Sequence, residues 1–117
     1  MAKGIRVAGP LLTIAVAGVA NADNLWQLSA FAQQIGVKTA KIKRLKVRNN
    51  AGVNTLLYIG TGVGGGFVQA MPALRLINGF NDDYPEGDLP EVGFSANITA
   101  YVDNAPCEVQ AEIEEIG

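Results

Sequence analysis

The chain has 117 residues, which is enough for one domain with a buried core and too few for two. Hydrophobic residues make up 49% of it and charged residues only 17%, so an intrinsically disordered chain is excluded. The net charge of −2 provides no basic field that would attract nucleic acid. Because so few charges cover a small surface, we expect part of the apolar surplus to contact another protein chain.

Missing residue types argue against an enzyme. Histidine is absent, and with it the commonest general base and the commonest neutral metal ligand. Cys107 is the single cysteine, which excludes an internal disulfide and a cysteine-rich zinc site. The two serines, Ser29 and Ser95, have no histidine with which to form a catalytic triad. We therefore predict no enzymatic activity, no metal site and no cofactor.

Residues 1–22 fit two patterns. Lys3 and Arg6 precede the apolar run 11–20 and an Ala-x-Ala site, as in a secretory signal peptide. The run is too short to span a bilayer, so no membrane segment is predicted. The stretch 12–16 lies between a Gly-Pro pair and a glycine and also fits a buried strand. We favour an N-terminal strand or arm of a single domain, with an exported β domain as an alternative.

The next segment, residues 24–35, predicts one short helix. Asp23 or Asn24 can cap its start and Gly36 can end it. Apolar residues recur there at helical spacing, namely Leu25, Leu28, Ala32 and Ile35. Trp26 lies off this stripe. Packing of the indole against the domain is the favoured interpretation, and contact with a partner is the alternative.

From residue 37 onward the hydrophobic period changes to two, which predicts strands. The segment 41–48 alternates, except that Ile42 is out of phase with the later apolar residues, which indicates a β-bulge. Residues 49–52 read Asn-Asn-Ala-Gly and have the chemistry of a turn. Alternation resumes over residues 53–59. The sequence therefore predicts a hairpin here.

The rest of the chain predicts further strands. Residues 73–77 form a short strand, and residues 78–93 form a long acidic loop. Residues 96–102 and 109–113 both alternate on either side of a turn at 103–106. The last stretch also fits a helix, but we prefer a strand because the hairpin would supply its partner. The predicted fold is mainly β, an antiparallel β-sandwich or jelly-roll-like barrel with one short N-terminal helix.

The loop Gly60–Gly66 contains the pattern G-x-G-x-x-G directly after a predicted strand, and Asp82 follows where a ribose-binding acid would lie. Dinucleotide binding needs a helix that starts at the third glycine, yet Pro72 leaves room for little more than one turn. We favour a structural role in a tight bend or in close backbone packing. The alternative is a small ligand- or nucleotide-binding domain that uses this loop.

A run of cations follows the predicted helix. Six of the nine cations fall within eleven residues, namely Lys38, Lys41, Lys43, Arg44, Lys46 and Arg48. Phosphate contact on nucleic acid is disfavoured, because the run holds no aromatic residue for base stacking. Three alternatives remain open: pairing with the acids of residues 108–115, contact with the acids of a neighbouring subunit, or a solvated strand face.

For three smaller features we favour an interpretation without a functional role. The acidic residues of the loop 78–93 offer oxygen ligands, but their spacing fits no EF-hand, so we expect a solvated loop. The sequon Asn97-Ile98-Thr99 lies in a predicted strand, and we expect no glycan there. Cys107 has no histidine to activate it, so we expect an inert thiol.

Four segments carry a resemblance to a known family: Lys41-Ile-Lys-Arg-Leu-Lys-Val-Arg-Asn-Asn-Ala-Gly, Leu56-Leu-Tyr-Ile-Gly-Thr-Gly, Ile98-Thr-Ala-Tyr-Val and Val109-Gln-Ala-Glu-Ile-Glu-Glu. In the order of its strands, its basic first strand, its Asn/Gly turn and its acidic terminal hairpin, the region 37–117 resembles the capsid decoration (cement) proteins of tailed bacteriophages. These are small β-sandwich or jelly-roll-like proteins. The N-terminal third does not match the family pattern.

The resemblance implies a non-enzymatic virion protein that binds the major capsid protein or other virion subunits at the capsid surface and stabilises the shell. It also implies a homo-oligomer, either a dimer or a trimer, that is made in the host cytoplasm and is not secreted. No nucleic acid or membrane partner is implied. We expect partner contacts at the N-terminal arm and at these residues: Lys41, Lys43, Arg44, Lys46, Arg48, Gly62, Gly64, Gly65 and Trp26.

Overall fold

The computed structural model describes residues 6–9, 11–21, 23–26, 40–79, 81–84, 89, 92–94 and 97–115. Much of this chain forms strands in which buried residues alternate with more exposed ones. Residues 6–8, 81–84 and 115 are described by their backbone alone. The described strands are β1 (Arg6–Ala8), β2 (Leu12–Ile14), β3 (Leu25–Trp26), β4 (Ala40–Asn49), β5 (Thr55–Thr61), β6 (Val68–Gln69), β7 (Leu74–Leu76), β8 (Asn81–Tyr84), β9 (Gly93–Phe94), β10 (Ile98–Val102) and β11 (Cys107–Glu115). A short 3-10 turn, Gly64–Gly66, lies between β5 and β6.

The strands form two antiparallel sheets. In the first sheet the order is β1-β11-β4-β8, with β2 also paired to β11 and β9 also paired to β4. In the second sheet the order is β3-β10-β5-β6, with β7 also paired to β5. β1 and β2 both pair with β11, β8 and β9 both pair with β4, and β6 and β7 both pair with β5, so we count each of these three pairs as one interrupted strand. The described part of the chain then has eight strand positions, ordered 1-8-3-6 in the first sheet and 2-7-4-5 in the second. The prediction of a mainly β, antiparallel protein is confirmed.

Both predicted hairpins are wrong, although their strands exist. β4 pairs with β11, β8 and β9, whereas the following strand β5 pairs with β10, β6 and β7. In the same way, β10 and β11 lie in different sheets. Turn chemistry bends the chain, but it does not decide whether the next strand pairs with the last one or crosses over the core. The last stretch is a strand, as predicted, with partners other than the expected one.

The prediction of an N-terminal helix is wrong at its start. Leu25 and Trp26 form β3, which pairs with Thr99 and Ile98 of β10. The remainder of the predicted helix, residues 27–35, lies outside the described residues. Pairing along β10 uses backbone hydrogen bonds that a helix would have kept for itself. Within the described part of the chain, the 3-10 turn is the only helical element.

The predicted acidic loop 78–93 also contains paired backbone. Asn81–Tyr84 forms β8 on the edge of the first sheet, where Asp83 lies opposite Lys46 in the register. Gly93–Phe94 forms β9 beside the start of β4. Acidic residues are uncommon in strands, so the composition predicted a loop. Proximity to the cations of β4 provides a physical reason for the exception.

One hydrophobic core lies between the two sheets. Residues with alternating burial in β4 and β11 contribute from the first sheet, and those of β5 and β10 contribute from the second. The largest fully buried side chains come from both sheets: Trp26, Phe94, Ile14, Leu45, Leu57, Ile59, Leu76, Ile98, Ile113, Val102 and Val109. Burial of such side chains is the main favourable contribution to folding of a domain of this size.

The bulge predicted in β4 is confirmed. Glu112 lies opposite Arg44 and Ile113 lies opposite Ile42, so the register shifts by one residue and Lys43 has no counterpart on β11. The extra residue brings the apolar residues on both sides of the bulge onto the same face of the strand. Ile42 and Leu45 are three positions apart, and because of the bulge both are buried in the core.

Candidate interaction surfaces

Charge is divided very unequally between the two sheets. The described strands of the first sheet contain twelve charged residues, whereas those of the second sheet contain one, Arg75. Both sheets bury their inner faces in the same core, so this difference concerns mainly their outer faces. The molecule therefore offers two surfaces of opposite character.

The outer face of the first sheet carries adjacent stripes of opposite charge, which we call the striped face. On β11 the residues between buried positions are Glu108, Gln110, Glu112 and Glu114. In the antiparallel register they lie opposite Arg48, Lys46, Arg44 and Lys41 of β4, respectively. Cross-strand neighbours at this spacing interact directly. The register thus agrees with the interpretation that the basic run pairs with the acidic terminal strand.

The cations predicted to contact a partner differ in their exposure. Lys46 and Arg48 are exposed on the striped face, and Lys41 and Arg44 are half-buried there. Lys43 is only 6% exposed, because it is the extra residue of the bulge. The expectation of a partner contact at Lys43 is therefore corrected, since its side chain lies inside the fold. A shallow depression of about 60 Å³ lies between Arg44, Lys46 and Glu112, which is too small for a metabolite.

The outer face of the second sheet is aromatic and apolar. Leu56, Tyr58 and Tyr101 alternate with buried residues and so point away from the core. The rings of Tyr58 and Tyr101 are stacked with centroids 4.6 Å apart, and Phe67 meets Tyr101 edge-on at 5.0 Å. Together these four residues form what we call the aromatic face. Val68, 65% exposed, lies in β6 at the edge of the same sheet.

Polar groups border the aromatic face at one end. The Tyr58 hydroxyl donates a hydrogen bond to Oδ2 of Asp103 at 2.8 Å, and this bond, together with the negative charge, raises the pKa of Tyr58. Arg75 and Asn54 line an open cleft of about 240 Å³ beside Leu56. The cleft is too open to enclose a ligand, so its polar residues form a rim along this end of the aromatic face. Such a rim is typical of surfaces that contact proteins.

The glycine-rich loop is used by the fold itself. A Cβ at Gly60 would collide with the Val68 carbonyl group, and Gly62 has a φ of +84° in addition to a similar collision with the carbonyl of Gly66. The N–H of Gly64 donates to the Ala20 carbonyl at 2.8 Å, which ties the loop to the segment before β3. The predicted structural role in a bend with close backbone packing therefore describes Gly60 and Gly62.

The same geometry argues against a nucleotide at this loop. The residues after the glycines form β6, an antiparallel neighbour of β5, where a dinucleotide site needs a helix N-terminus. The amides of Gly64, Gly66 and Phe67 donate to carbonyl groups of the protein. Gly64 and Gly65 have open space around them, so the tip of the loop stays accessible for the predicted partner contact.

Trp26 is placed inside the core. Its side chain is 0% exposed, and it lies opposite Ile98 in β10. The favoured interpretation, packing against the domain, agrees with this position. Its inclusion among the partner contacts is corrected, because a fully buried ring does not reach a partner.

Sequence reasoning missed the residues of the aromatic face. Leu56 and Tyr58 alternate with the buried Leu57 and Ile59, which is the pattern of a strand with one face outward. The signal that could have revealed them is the absence of charge between Arg48 and Arg75. A strand without charge on either face is expected to be covered on both.

Other candidate sites carry no supporting geometry in the described residues. Among these, no group of three or more histidine, cysteine, aspartate or glutamate side chains could hold a metal ion. The described chain also has no helix with the length and apolar character needed to cross a bilayer. In the sequon, Asn97 is exposed while Thr99 is buried.

The thiol of Cys107 is expected to be protected in the folded state. The side chain is buried, and burial raises its pKa, although a hydrogen bond with the Asn50 backbone opposes the shift. We expect a disulfide reagent to label it at least about 100-fold more slowly in the native protein than in denaturant. Labelling at equal rates would contradict the structure.

The raised pKa of Cys107 also predicts a pH dependence. The unfolded thiol ionises first, near its ordinary value of about 8.5. The neutral thiol therefore stabilises the fold fully below that pH, and its contribution is lost as the pH rises toward the folded-state pKa. Denaturant unfolding of the native protein and of Cys107→Ala, compared between about pH 7 and pH 10, measures this difference.

No protein-family model and no curated protein matches the chain. Among solved structures, disulfide-linked pili of Bacillus endospore appendages are 14% identical with a TM-score of 0.46, over 95% of this chain and 84% of that one. Modules of Clostridium thermocellum endo-1,4-beta-D-xylanase 10B in complex with xylohexaose are 9% identical with a TM-score of 0.43, over 100% of this chain and 27% of that one. Tobacco streak virus coat protein, a dimer, is 11% identical with a TM-score of 0.34, over 92% and 85%. At these TM-scores the likenesses carry no conclusion about function.

Proposed function

We propose that this chain is a non-enzymatic virion structural protein, a decoration or cement protein that binds the major capsid protein and stabilises the shell. The observation that carries the proposal is the aromatic face of Leu56, Tyr58, Phe67 and Tyr101 on a sheet whose described strands hold a single charged residue. Aromatic residues with few charges around them are the composition of the buried centre of protein interfaces.

The strand order supports this proposal. Eight strand positions ordered 1-8-3-6 and 2-7-4-5, in which every connection except that between positions 4 and 5 crosses between the two sheets, are the topology of a double-sheet jelly roll. This architecture is common in viral capsid proteins, but it also occurs in lectins and cupins. The topology is therefore consistent with a virion role, and the evidence for a specific function has to come from the surface residues.

The mechanism is association. Burial of the aromatic face against the shell removes apolar area from water, and the polar rim around Asp103 and Arg75 fixes the orientation. A shell repeats the same contact at every symmetry-related position. A modest affinity per site is then sufficient, because copies that also contact one another gain from a high effective concentration.

The first test is the state of the chain in its native source. We expect it in a particle of megadalton mass, measured by light scattering, and released from it as a small discrete species. A monomer of 12.3 kDa that never enters a larger particle would contradict the proposal. Cross-linking followed by mass spectrometry then identifies the shell protein that it touches.

The surface itself is tested by a matched pair of variants. Leu56, 36% exposed, lies on the aromatic face, and Val53, 51% exposed, lies in the turn between β4 and β5. We expect Leu56→Asp to weaken binding to undecorated shells by at least about 10-fold, because it places a charge in an apolar contact. Val53→Asp, a comparable change at an exposed site outside the aromatic face, is expected to bind normally. Equal binding by both variants would exclude the aromatic face as the docking surface.

A further inference from the structure

We infer that the striped face is the interface between two copies of this chain, which pair around a two-fold axis that runs parallel to the strands, midway between β4 and β11. The inference deepens the proposed function, in which the chain is a homo-oligomer, by naming the surface and the symmetry. It uses the sheet opposite to the one proposed to contact the shell.

The register of β4 and β11 places the two stripes side by side. Basic residues of β4 and acidic residues of β11 face outward side by side, at the pairs Arg48 with Glu108, Arg44 with Glu112 and Lys41 with Glu114. The stripes are about 4.8 Å apart, which is the spacing of neighbouring strands, and roughly 20 Å long. Two centrally placed stripes of opposite sign on one face are complementary to the same face of a second molecule.

Symmetry decides which arrangement the charges allow. A two-fold axis parallel to the strands and between the stripes places β4 of each copy over β11 of the other. Glu108 then faces Arg48 of the second copy, and Glu112 faces Arg44 of the second copy, at the same level along the strands. Each contact occurs twice, as an isologous interface requires.

The competing arrangements bring like charges together. An axis perpendicular to the strands, or an axis centred on β4 itself, superposes the basic stripes of both copies. Juxtaposed like charges disfavour such complexes, so the stripe pattern selects one geometry and disfavours the others. The sheet twist confines the closest contacts to the middle of the stripes, around Lys46 and Gln110.

The charged interface predicts a dimer that depends on salt. In sedimentation of the purified chain, we expect a species of twice 12.3 kDa at low ionic strength. The dissociation constant is expected to rise at least about 10-fold between about 20 mM and about 500 mM sodium chloride, because salt screens the exposed pairs. A chain that stays monomeric at low salt and high concentration would overturn the inference.

Two charge-reversed variants test the surface directly. Arg44→Glu with Arg48→Glu reverses the two cations that face Glu112 and Glu108 of the second copy, and Glu108→Lys with Glu112→Lys reverses those two acids. We expect each variant to be monomeric alone and an equal mixture of the two to form a heterodimer. A dimer that persists in either variant, or a mixture that stays monomeric while both variants unfold cooperatively, would overturn the inference.

The outcome is separable from that of shell binding. Sedimentation uses the isolated chain, where no shell is present, and Leu56→Asp is expected to dimerise like the unmodified protein. Failure of the dimer leaves the aromatic face and its binding experiment unaffected. Failure of Leu56→Asp to lose shell binding leaves the salt-dependent dimer unaffected.

Discussion

Replacing Gly60 with alanine is expected to destabilise the fold by about 3–5 kcal/mol, at the upper end of single substitutions. A Cβ at this position would lie far inside contact distance of the Val68 carbonyl oxygen, 2.8 Å from its carbon and 2.9 Å from Cα of Gln69. All three atoms belong to the backbone of β6, which is hydrogen-bonded to β5 at this point. No rotamer change relieves such a collision, so β6 has to leave the sheet edge.

The matched control lies in the same loop. A Cβ at Gly65 meets no atom within 4 Å, and this glycine has no positive φ. We expect Gly65→Ala to be neutral or to stabilise the fold by up to about 1 kcal/mol, because it restricts the unfolded chain. Urea unfolding followed by the fluorescence of the single, buried Trp26 measures both variants. Equal stability of the two variants would contradict the close packing of β6 on Gly60.

The periodicity of the sequence was sufficient to locate the four longest of the described strands. Alternation in β4, β5, β10 and β11 follows from one face being buried, and that signal is local. The bulge at Lys43 was also local, since two apolar residues were out of phase with each other. Both features depend only on neighbouring residues, so they can be predicted without knowledge of the rest of the fold.

The partners of the strands were not predictable in the same way. The turns at 49–52 and 103–106 each contain residues that reverse a chain, and the same residues serve a hairpin or a crossover between sheets. Whether a turn leads to a hairpin or to a crossover depends on which distant strands pair with each of its flanking strands, as β11 pairs with β4. β3 shows the same limit, because pairing with β10 overrides the helical spacing around Leu25.

Of the two interaction surfaces, the sequence indicated the striped face and not the aromatic face. Cations and acids stood out as charge runs, and their pairing was among the alternatives considered. The aromatic face did not stand out, because Tyr101 is distant in the chain from Tyr58 and Phe67 and meets Tyr58 only through the pairing of β5 with β10. Absence of charge is a weaker signal than its presence, yet here it marks the surface proposed to bind the shell.

Asn49 is the polar residue on which the crossover between the sheets depends. Its side chain is buried at the end of β4, where the chain leaves the first sheet. Nδ2 donates to the carbonyl oxygens of Val53 at 2.9 Å and Leu76 at 3.1 Å, and Oδ1 accepts from the N–H of Ala51 at 2.9 Å. One amide thus satisfies three backbone groups, two of them in the turn after β4 and one at the end of β7.

Asn49→Ala is therefore expected to lower the free energy of unfolding by about 2–4 kcal/mol, because it leaves the buried Leu76 carbonyl and two half-buried backbone groups without their partner. Asn49→Asp keeps the acceptor but loses both donated bonds, and it buries a carboxylate beside two carbonyl oxygens. Burial disfavours the charged form, so the pKa of this aspartate would be raised. Its destabilisation is expected to be greatest near neutral pH and to decrease as the pH falls and the carboxylate becomes protonated.

The neighbouring residue provides the control for Asn49. Asn50 is exposed, and its Nδ2 donates to Oε1 of Glu108 at 3.1 Å on the surface. We expect Asn50→Ala to change stability by less than about 0.5 kcal/mol, as for most surface substitutions. Denaturant unfolding of the three variants separates a buried anchor from ordinary turn propensity, since both residues belong to the same Asn-Asn turn. Equal losses at the two positions would mean that turn propensity, and not the buried amide, holds the crossover.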